Sequence, residues 1–522
     1  MPIGIQSFEK LRTENFFYVD KTKYVWDLVQ GGNPYFLSRP RRFGKSLFLS
    51  TIEAYFLGEK ELFKGLALEK QEEENTPHPW TTYPVLHFDF NAEKYAETGS
   101  LNIVLDRHLC LFESQFGIQT KAATPSGRFI QIIRTAHERT GKQVVVLVDE
   151  YDKPLLEVMD NRELYEDYRA TLKAFYGVLK SEDEHLKFVF LTGVTKFNQV
   201  SIFSDLNQLR DISMEQAFSG ICGISDTELQ NQFQPELTRL AGTLGISLSE
   251  CSEKLKKTYD GYHFHQNGED MYNPFSLLNT FAANEFNYYW FRTGTPTFLV
   301  RVIEQTNFDL RSMVTGIEAG RNTFSEYRFD MHSPVPLLYQ SGYLTIKDYN
   351  ARFGIYMLKF PNEEVKYGFM NFLLQQETAV QQSEGSFYIG KFVDDIESGN
   401  VDDFMNRLKS ILSSIPYPVW GEAKKVTEQT FQIGCFLIFE LMGQFTQTEV
   451  QSSKGRADAV VWTKECIYVF EFKLDGTAED ALKQINDKGY AVPYESDGRK
   501  VVKIGVGFDK EACTIDRWTT ES

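Results

Sequence analysis

The sequence predicts an α/β protein in three parts: a parallel-sheet core at the N-terminus, a helical middle region with a winged-helix-like module, and a smaller C-terminal α/β domain. Three observations predict it. A basic turn, "RPRRFGKS" (39–46), lies between a short apolar run and an apolar, helix-forming run. A β-branched run, "VVVLVDE" (144–150), ends in two acids. Near the C-terminus, two apolar strands carry Asp458, Glu471 and Lys473 in the spacing D-x(12)-E-x-K. The 522 residues exceed one ordinary core, and at about 150 residues per domain some three domains are expected.

Composition narrows the class. A hydrophobic content of 42% is that of a water-soluble globular chain. Runs such as "VVVLV" are far too short to cross a bilayer, and "MPIGIQSFEK" lacks a basic stretch followed by an apolar one, so neither membrane contact nor secretion is expected. Six cysteines without a C-x-x-C pair read as free thiols of a reducing, cytoplasmic compartment. His263 and His265 alternate in "YHFH", but nothing completes a zinc set. The net charge of −17 argues against nonspecific coating of nucleic acid, while leaving room for a local basic groove or a metal-assisted contact.

The N-terminal elements follow in order. "PYFLS" (34–38) suits a buried strand, and "SLFLSTIEAYFLG" (46–58) a helix that stops at Gly58. The turn between them nearly matches the phosphate-binding pattern G-x-x-x-x-G-K-[ST]. Gly44, Lys45 and Ser46 fit, but Arg39 stands where the first glycine belongs and Pro40 removes one N–H donor. Arg39, Arg41 and Arg42 add charge beside Lys45. The ligand-binding candidates are therefore Arg41, Arg42, Phe43, Gly44, Lys45 and Ser46, with Lys45 on phosphate oxygens and the Ser46 hydroxyl on Mg²⁺. A basic surface turn with a chance Gly-Lys-Ser is the competing reading.

"YPVLHFDFN" (83–91) supplies another strand. "KQVVVLVDEYDKP" (142–154) reads as a strand buried on both faces, with Asp149 at its carboxyl end, where parallel sheets place ligands. Asp149 would hold the Mg²⁺ water shell and Glu150 would polarise the attacking water. The next strand, "LKFVFLTGVTKF" (186–197), ends in Thr192, Gly193 and Thr195, and Thr192 is the candidate sensor of a terminal phosphate. Alternating strands and helices imply a helix-covered parallel sheet, that of a P-loop NTPase.

The stretches "GIQSFEKLRTENFFYVDKT", "FLSRPRRFGKSLFLSTIEAYFLG", "VDEYDKP", "LTGVTKFNQVSIFSDLNQLRDIS", "YDGYHF" and "YNPFSLL" resemble the bacterial AAA-ATPase-like proteins, many of which carry a C-terminal nuclease-like domain. The resemblance runs over almost the entire chain. It implies that Arg-Pro-Arg-Arg-Phe-Gly-Lys-Ser is the family's ordinary form of the loop and that ATP is the ligand. It also implies a homo-oligomer whose neighbouring subunit could supply an arginine finger.

From about residue 226 the pattern turns helical. "SDTELQNQFQPELTRLAGTLG" (225–245) and "SLSECSEKLKKTYDGYHF" (247–264) read as parts of a lid of three to five helices. "FNYYWFRTGTPTFLV" reads as interdomain core, with a stacking surface for peptide or bases as the sharper alternative. Residues 333–376 read as helix, strand, turn, strand, helix, the winged-helix-like module. Asn362, Glu363 and Glu364 carry no derivable role.

"VDDFMNRLKSILSSIPY" (401–417) and "VTEQTFQIGCFLIFELMGQ" (426–444) read as helices, amphipathic and buried respectively. "GRADAVVWTKECIYVFEFKLDG" (455–476) follows as two strands joined at Thr463–Glu465. Residues two apart on a strand face the same way, so Glu471 and Lys473 project together while Phe470, Phe472 and Leu474 face oppositely. Adjacent strands can bring Asp458 alongside Glu471. Two carboxylates holding Mg²⁺ beside a lysine suit phosphodiester hydrolysis; an exposed strand with a cross-strand ion pair is the plain alternative. A helix bearing Gln484, with Tyr490 after it, comes next. This order resembles the PD-(D/E)XK nuclease fold. The resemblance implies Asp458, Glu471 and Lys473 as catalytic, Gln484 as auxiliary and Glu428 as a further acidic ligand; Ala457 departs from the literal Pro-Asp.

The expected divisions are 1–225, 226–390 and 391–522. Residues 421–522 hold 13 Lys and Arg against 17 Asp and Glu, a net of −4, where a domain gripping DNA or RNA alone should be basic. Lys454, Arg456, Lys483 and Lys488 could form a local basic strip. Two functions remain open: an ATP-driven, Mg²⁺-dependent nuclease, and a nucleotide-dependent switch whose nuclease-like domain only binds a partner.

Overall fold

The computed structural model describes all residues except 33, 92, 197–207, 294–298, 300, 301, 304, 305, 307, 325–332, 378–384, 414–427, 443–445, 453, 454, 474, 475 and 510–513. Leu474 and Lys454 fall outside the described residues, as do the side chains of Glu428 and Arg456. The chain divides into two compact units, Met1–Val365 and Lys366–Ser522.

The first unit is built on a five-stranded sheet: β1 (Pro34–Ser38), β2 (Val85–Asp89), β3 (Val144–Asp149), β4 (Leu186–Gly193) and β5 (Arg210–Asp211). The spatial order is β2-β3-β4-β1-β5, and every pair is parallel. All carboxyl ends therefore lie on one edge, with β4 inserted between β1 and β3. The sheet is covered on both faces, which is why β3 is apolar from Val144 to Val148 and buried throughout. Phe188 and Phe190 meet Phe56 and Phe48 of the helix Lys45–Phe56, at ring distances of 5.2 and 5.9 Å. Phe88 instead meets Phe129 and Phe175, on the helices Pro125–Thr140 and Arg162–Ser181, at 5.1 and 5.3 Å.

Two serines start helices in the middle region as their sequence context predicts. Ser225 with Glu228 and Ser247 with Glu250 each form a reciprocal cap. The stretch 225–245 is two helices rather than one: Asp226–Gln232 and Gln234–Leu244 break at Phe233 because Pro235 has no N–H to continue the ladder. With Leu248–Tyr259 and Pro274–Ala283 they enclose a core of Leu229, Phe233, Leu240, Leu255, Tyr272 and Phe281, onto which Ile3, Phe17 and Val19 of the N-terminal segment pack. Phe233 and Phe281 stack at 5.5 Å, Tyr259 and Phe286 at 5.7 Å. These aromatic residues are core.

Two small antiparallel sheets complete this unit. One has the order β6 (Ile224–Ser225), β8 (Asp270–Tyr272), β7 (Tyr262–His263). The other has the order β10 (Thr345–Asn350), β11 (Ile355–Lys359), β9 (Ile317–Gly320). Helix Val335–Gln340, β10, β11 and helix Glu363–Glu377 reproduce the expected helix–strand–strand–helix order, and β9 adds a third strand.

The second unit holds a sheet of order β12 (Thr446–Ser452), β13 (Gly455–Trp462), β14 (Cys466–Lys473), β15 (Lys500–Asp509) and β16 (Thr514–Glu521). Only β14 and β15 pair in parallel, and helix Ala478–Lys488 makes the crossover such a pair requires. Gly505 lets that helix sit close: a Cβ there would lie 2.2 Å from the Ala478 carbonyl oxygen and 2.5 Å from the Leu482 nitrogen. The opposite face is covered by helices Val401–Ser413 and Glu428–Leu441, whose Phe404 and Phe439 meet Phe470 at 5.7 and 5.0 Å.

Candidate active sites

The phosphate-type loop leaves β1 at Ser38. Arg39 is fully buried, and its guanidinium donates to the carbonyls of Ser38 (2.9 Å), Ser213 (2.7 Å) and Phe218 (3.0 Å) while lying 4.0 Å over the Phe264 ring. Its charge is thus committed to the loop's own scaffold, contrary to the expectation that it reinforces Lys45. Pro40 packs against Gly342, where a Cβ would come within 2.7 Å of the proline and where φ is +91°. The Arg41 carbonyl accepts from Trp290 Nε1 at 3.0 Å. Phe43 is buried against Tyr262 and Phe264 at 4.7 and 5.5 Å. These contacts fix the loop without the missing glycine.

Arg42 and Gly44 both lie in the left-handed region, at φ +66° and +98°. Gly44 is the N-cap of helix Lys45–Phe56, so the helix's unpaired N–H groups open at the loop. Lys45 is buried, and its ammonium donates to the carbonyls of Arg39 (2.9 Å) and Pro40 (3.1 Å). Arg41, Arg42, Phe43, Gly44, Lys45, Ser46 and Glu150 line a cavity of about 480 Å³ together with the apolar residues Phe17, Val19, Phe233, Phe275 and Leu278. The volume and the mixture of cationic and apolar lining fit a nucleotide.

Asp149 ends β3 and is 5% exposed. Thr192, fully buried on the neighbouring β4, donates to Asp149 Oδ1 at 2.5 Å. Neither side chain lines the cavity, so Thr192 stands behind Asp149. Glu150 does line it, in a left-handed backbone conformation (φ +51°). Burial pushes its carboxyl pKa up, and the Lys45 charge partly opposes this. Ser46 and Glu150 line the cavity with hard oxygens, the donor type Mg²⁺ takes, while Asp149 lies outside its lining.

One residue escapes sequence reasoning. Asp152, 1% exposed, accepts from the N–H groups of Val194 (3.0 Å) and Thr195 (2.6 Å) and from the Thr195 hydroxyl (2.7 Å), while also lining the cavity. It ties the segment after β4 to the segment after β3. The signal in the sequence was a third acid in "VDEYD".

In the second unit, β13 and β14 pair with Ala459 opposite Phe470, so Asp458 and Glu471 occupy the next cross-strand position. The Phe472 N–H donates to Asp458 Oδ2 at 2.9 Å. Glu471 is 4% exposed. Gln484, on the crossover helix, bridges the pair: Lys473 Nζ donates to its amide oxygen and its amide nitrogen donates to Glu471 Oε1. Tyr490 Oη lies 3.4 Å from the same nitrogen. Glu471, Lys473 and Gln484 thus converge on the face opposite Phe470 and Phe472. Among the described residues no three His, Cys, Asp or Glu side chains come together as a metal cage. Mg²⁺ retains several waters and is commonly held by only one or two carboxylates.

Among the described residues no helix is long and apolar enough to cross a membrane, and the five described cysteines are free thiols.

Two family models match the chain, one at each end. A family model described as predicted AAA-ATPase matches residues 2–203. A second, described as PD-(D/E)XK nuclease superfamily, matches residues 426–518. A protein of Azotobacter chroococcum mcd 1, described as an uncharacterized protein in the vnfD 5' region, is 34% identical over 536 residues, covering 100% of this chain and 99% of that protein.

Proposed function

Given that the chain belongs to the predicted AAA-ATPase-like family with a C-terminal PD-(D/E)XK nuclease superfamily domain, we propose that it binds and hydrolyses ATP and cleaves nucleic-acid phosphodiesters. In this reading Lys45 leaves the carbonyls of Arg39 and Pro40 for the phosphates, with Arg41, Arg42 and the N–H groups at Gly44 around them. Ser46 and Asp149 would hold Mg²⁺, Thr192 would fix Asp149, and Glu150 would take the proton of the attacking water. Burial raises the proton affinity of Glu150 toward what a general base needs.

In the C-terminal domain Asp458 and Glu471 would hold Mg²⁺, which when bound supplies an acidified water and neutralises charge on the phosphodiester. Glu428 is proposed as a further ligand. Lys473 offsets the developing negative charge, and Gln484 sets the separation of Lys473 from Glu471. The convergence of Glu471, Lys473 and Gln484 on one face carries this reading. A cytoplasmic location, DNA or RNA as substrate and a homo-oligomeric state belong to the same proposal.

Plasmid DNA, single-stranded DNA and RNA incubated with Mg²⁺ or Mn²⁺ test it. Wild type is expected to cut at least one and Lys473→Ala none. If wild type cuts nothing, the net charge of −4 over 421–522 favours the second reading, a nucleotide-dependent switch whose nuclease-like domain binds a partner.

A further inference from the structure

The cavity at the phosphate loop takes cations from two strand ends. Arg41, Arg42 and Lys45 belong to the loop, which follows β1. Lys21 also lines the cavity, but both oxygens of Glu228 hold its ammonium, at 2.6 and 2.7 Å. Lys153 lines it too, and comes from the turn after β3. The sheet order puts β4 between β3 and β1, so Lys153 and Lys45 reach one cavity from separate strands.

Glu150 and Lys153 share one turn. The Lys153 N–H donates to the Glu150 carbonyl at 3.1 Å, and both residues line the cavity. The Lys153 ammonium rests mainly on neutral oxygens. It donates to the carbonyl and the side-chain oxygen of Asn91, at 2.5 and 3.0 Å. Asn91 lines the same cavity, so this resting place lies at the cavity's edge. Glu157, exposed, stands 3.7 Å away, and a pair of that kind contributes little. Lys45 rests in the same manner, on the carbonyls of Arg39 and Pro40. The full negative charge of a phosphate oxygen attracts an ammonium more strongly than such neutral acceptors do.

We propose that Lys153 is a catalytic cation, leaving Asn91 for the oxygens of the terminal phosphate. The inference rests on the reading of the cavity as an ATP site. In the step, the water oxygen bonds to the terminal phosphorus while the bond from that phosphorus to the bridging oxygen breaks. The electron pair of the broken bond leaves with ADP, and Glu150 accepts the water's proton. Lys153 keeps its own protons and offsets the negative charge on the terminal and bridging oxygens.

The test uses the full-length chain with Mg²⁺. It measures ATP turnover and the calorimetric binding of ADP and of a non-hydrolysable ATP analogue. Lys153→Ala is expected to lower turnover about tenfold or more. Its ADP binding should stay within about twofold of wild type, because ADP lacks the phosphate that Lys153 contacts. Lys153→Arg, which keeps the charge, should restore part of the turnover. Weaker analogue binding by Lys153→Ala adds a contact in the ground state, and unchanged analogue binding confines the contact to the transition state; both support the proposal. Turnover by Lys153→Ala within about twofold of wild type overturns it. So does a loss of ADP binding as large as the loss of turnover, the mark of a disturbed cavity rather than a missing cation. Failure of the ATP reading is distinct and takes the proposal with it: wild type then shows no turnover, or Lys45→Ala loses none.

Discussion

Thr192 reaches across from β4 to donate its hydroxyl proton to Asp149 Oδ1 at 2.5 Å, both side chains being buried. Thr192→Val keeps the shape and removes the donor. It is expected to cost about 1–3 kcal/mol of stability, read from urea unfolding. ATP turnover should fall about tenfold or more, because the acid proposed to hold Mg²⁺ loses its fixed orientation. Unchanged turnover would show that Asp149 needs no such support.

Arg39→Gly restores the literal glycine of the phosphate-binding pattern, yet it is expected to damage the loop. The substitution removes three hydrogen bonds to main-chain carbonyls and the contact with Phe264. Loss of about 3 kcal/mol or more is expected, with weaker binding of a fluorescent ATP analogue. A variant that bound more tightly would mean that the glycine is what the loop wants.

Glu364 is 1% exposed, accepts from the Trp290 N–H at 2.7 Å, and burial pushes its carboxyl up to about 8. Asp260, likewise buried, is pushed up to about 7. From about pH 4.5 to 8 the folded chain retains protons that the unfolded chain has released, so stability falls as pH rises across this window. Glu364→Gln should raise stability at pH 8.5 by about 1–3 kcal/mol and change it little at pH 5. Urea midpoints at the two pH values check this; an equal change at both would refute it.

Gln484→Ala removes the bridge between Lys473 and Glu471 without removing either. Metal-dependent cleavage is expected to drop about tenfold to a hundredfold, with weaker Mn²⁺ binding by calorimetry. Gln484→Glu should bind Mn²⁺ more tightly than Gln484→Ala, since it adds a carboxylate; a purely structural role for Gln484 would not produce that order.

The long elements were legible because they repeat one physical pattern. The apolar run of β3, the helix after Gly44 and the alternation in β14 each announce their burial. β5, β6 and β7 are two residues each, too short for any period to show. The candidate residues of the second site were readable because Glu471 and Lys473 are two apart on one strand and Gln484 follows on the next helix. The supports of the first site were not readable. Trp290 meets the Arg41 carbonyl across 249 residues, and Glu364 meets Trp290 across 74. Local propensity carries no information on such pairs, so the role of Glu364 appears only in the folded chain.

The close seating of helix Ala478–Lys488 on Gly505 has a practical use. A methyl group at that glycine collides with backbone that cannot swing aside, so Gly505→Ala must lift the segment carrying Gln484. Such an allele would disarm the C-terminal domain with every acid, amide and amine of its own cluster still in the sequence. In living cells it would separate the cleavage proposed for the domain from mere binding.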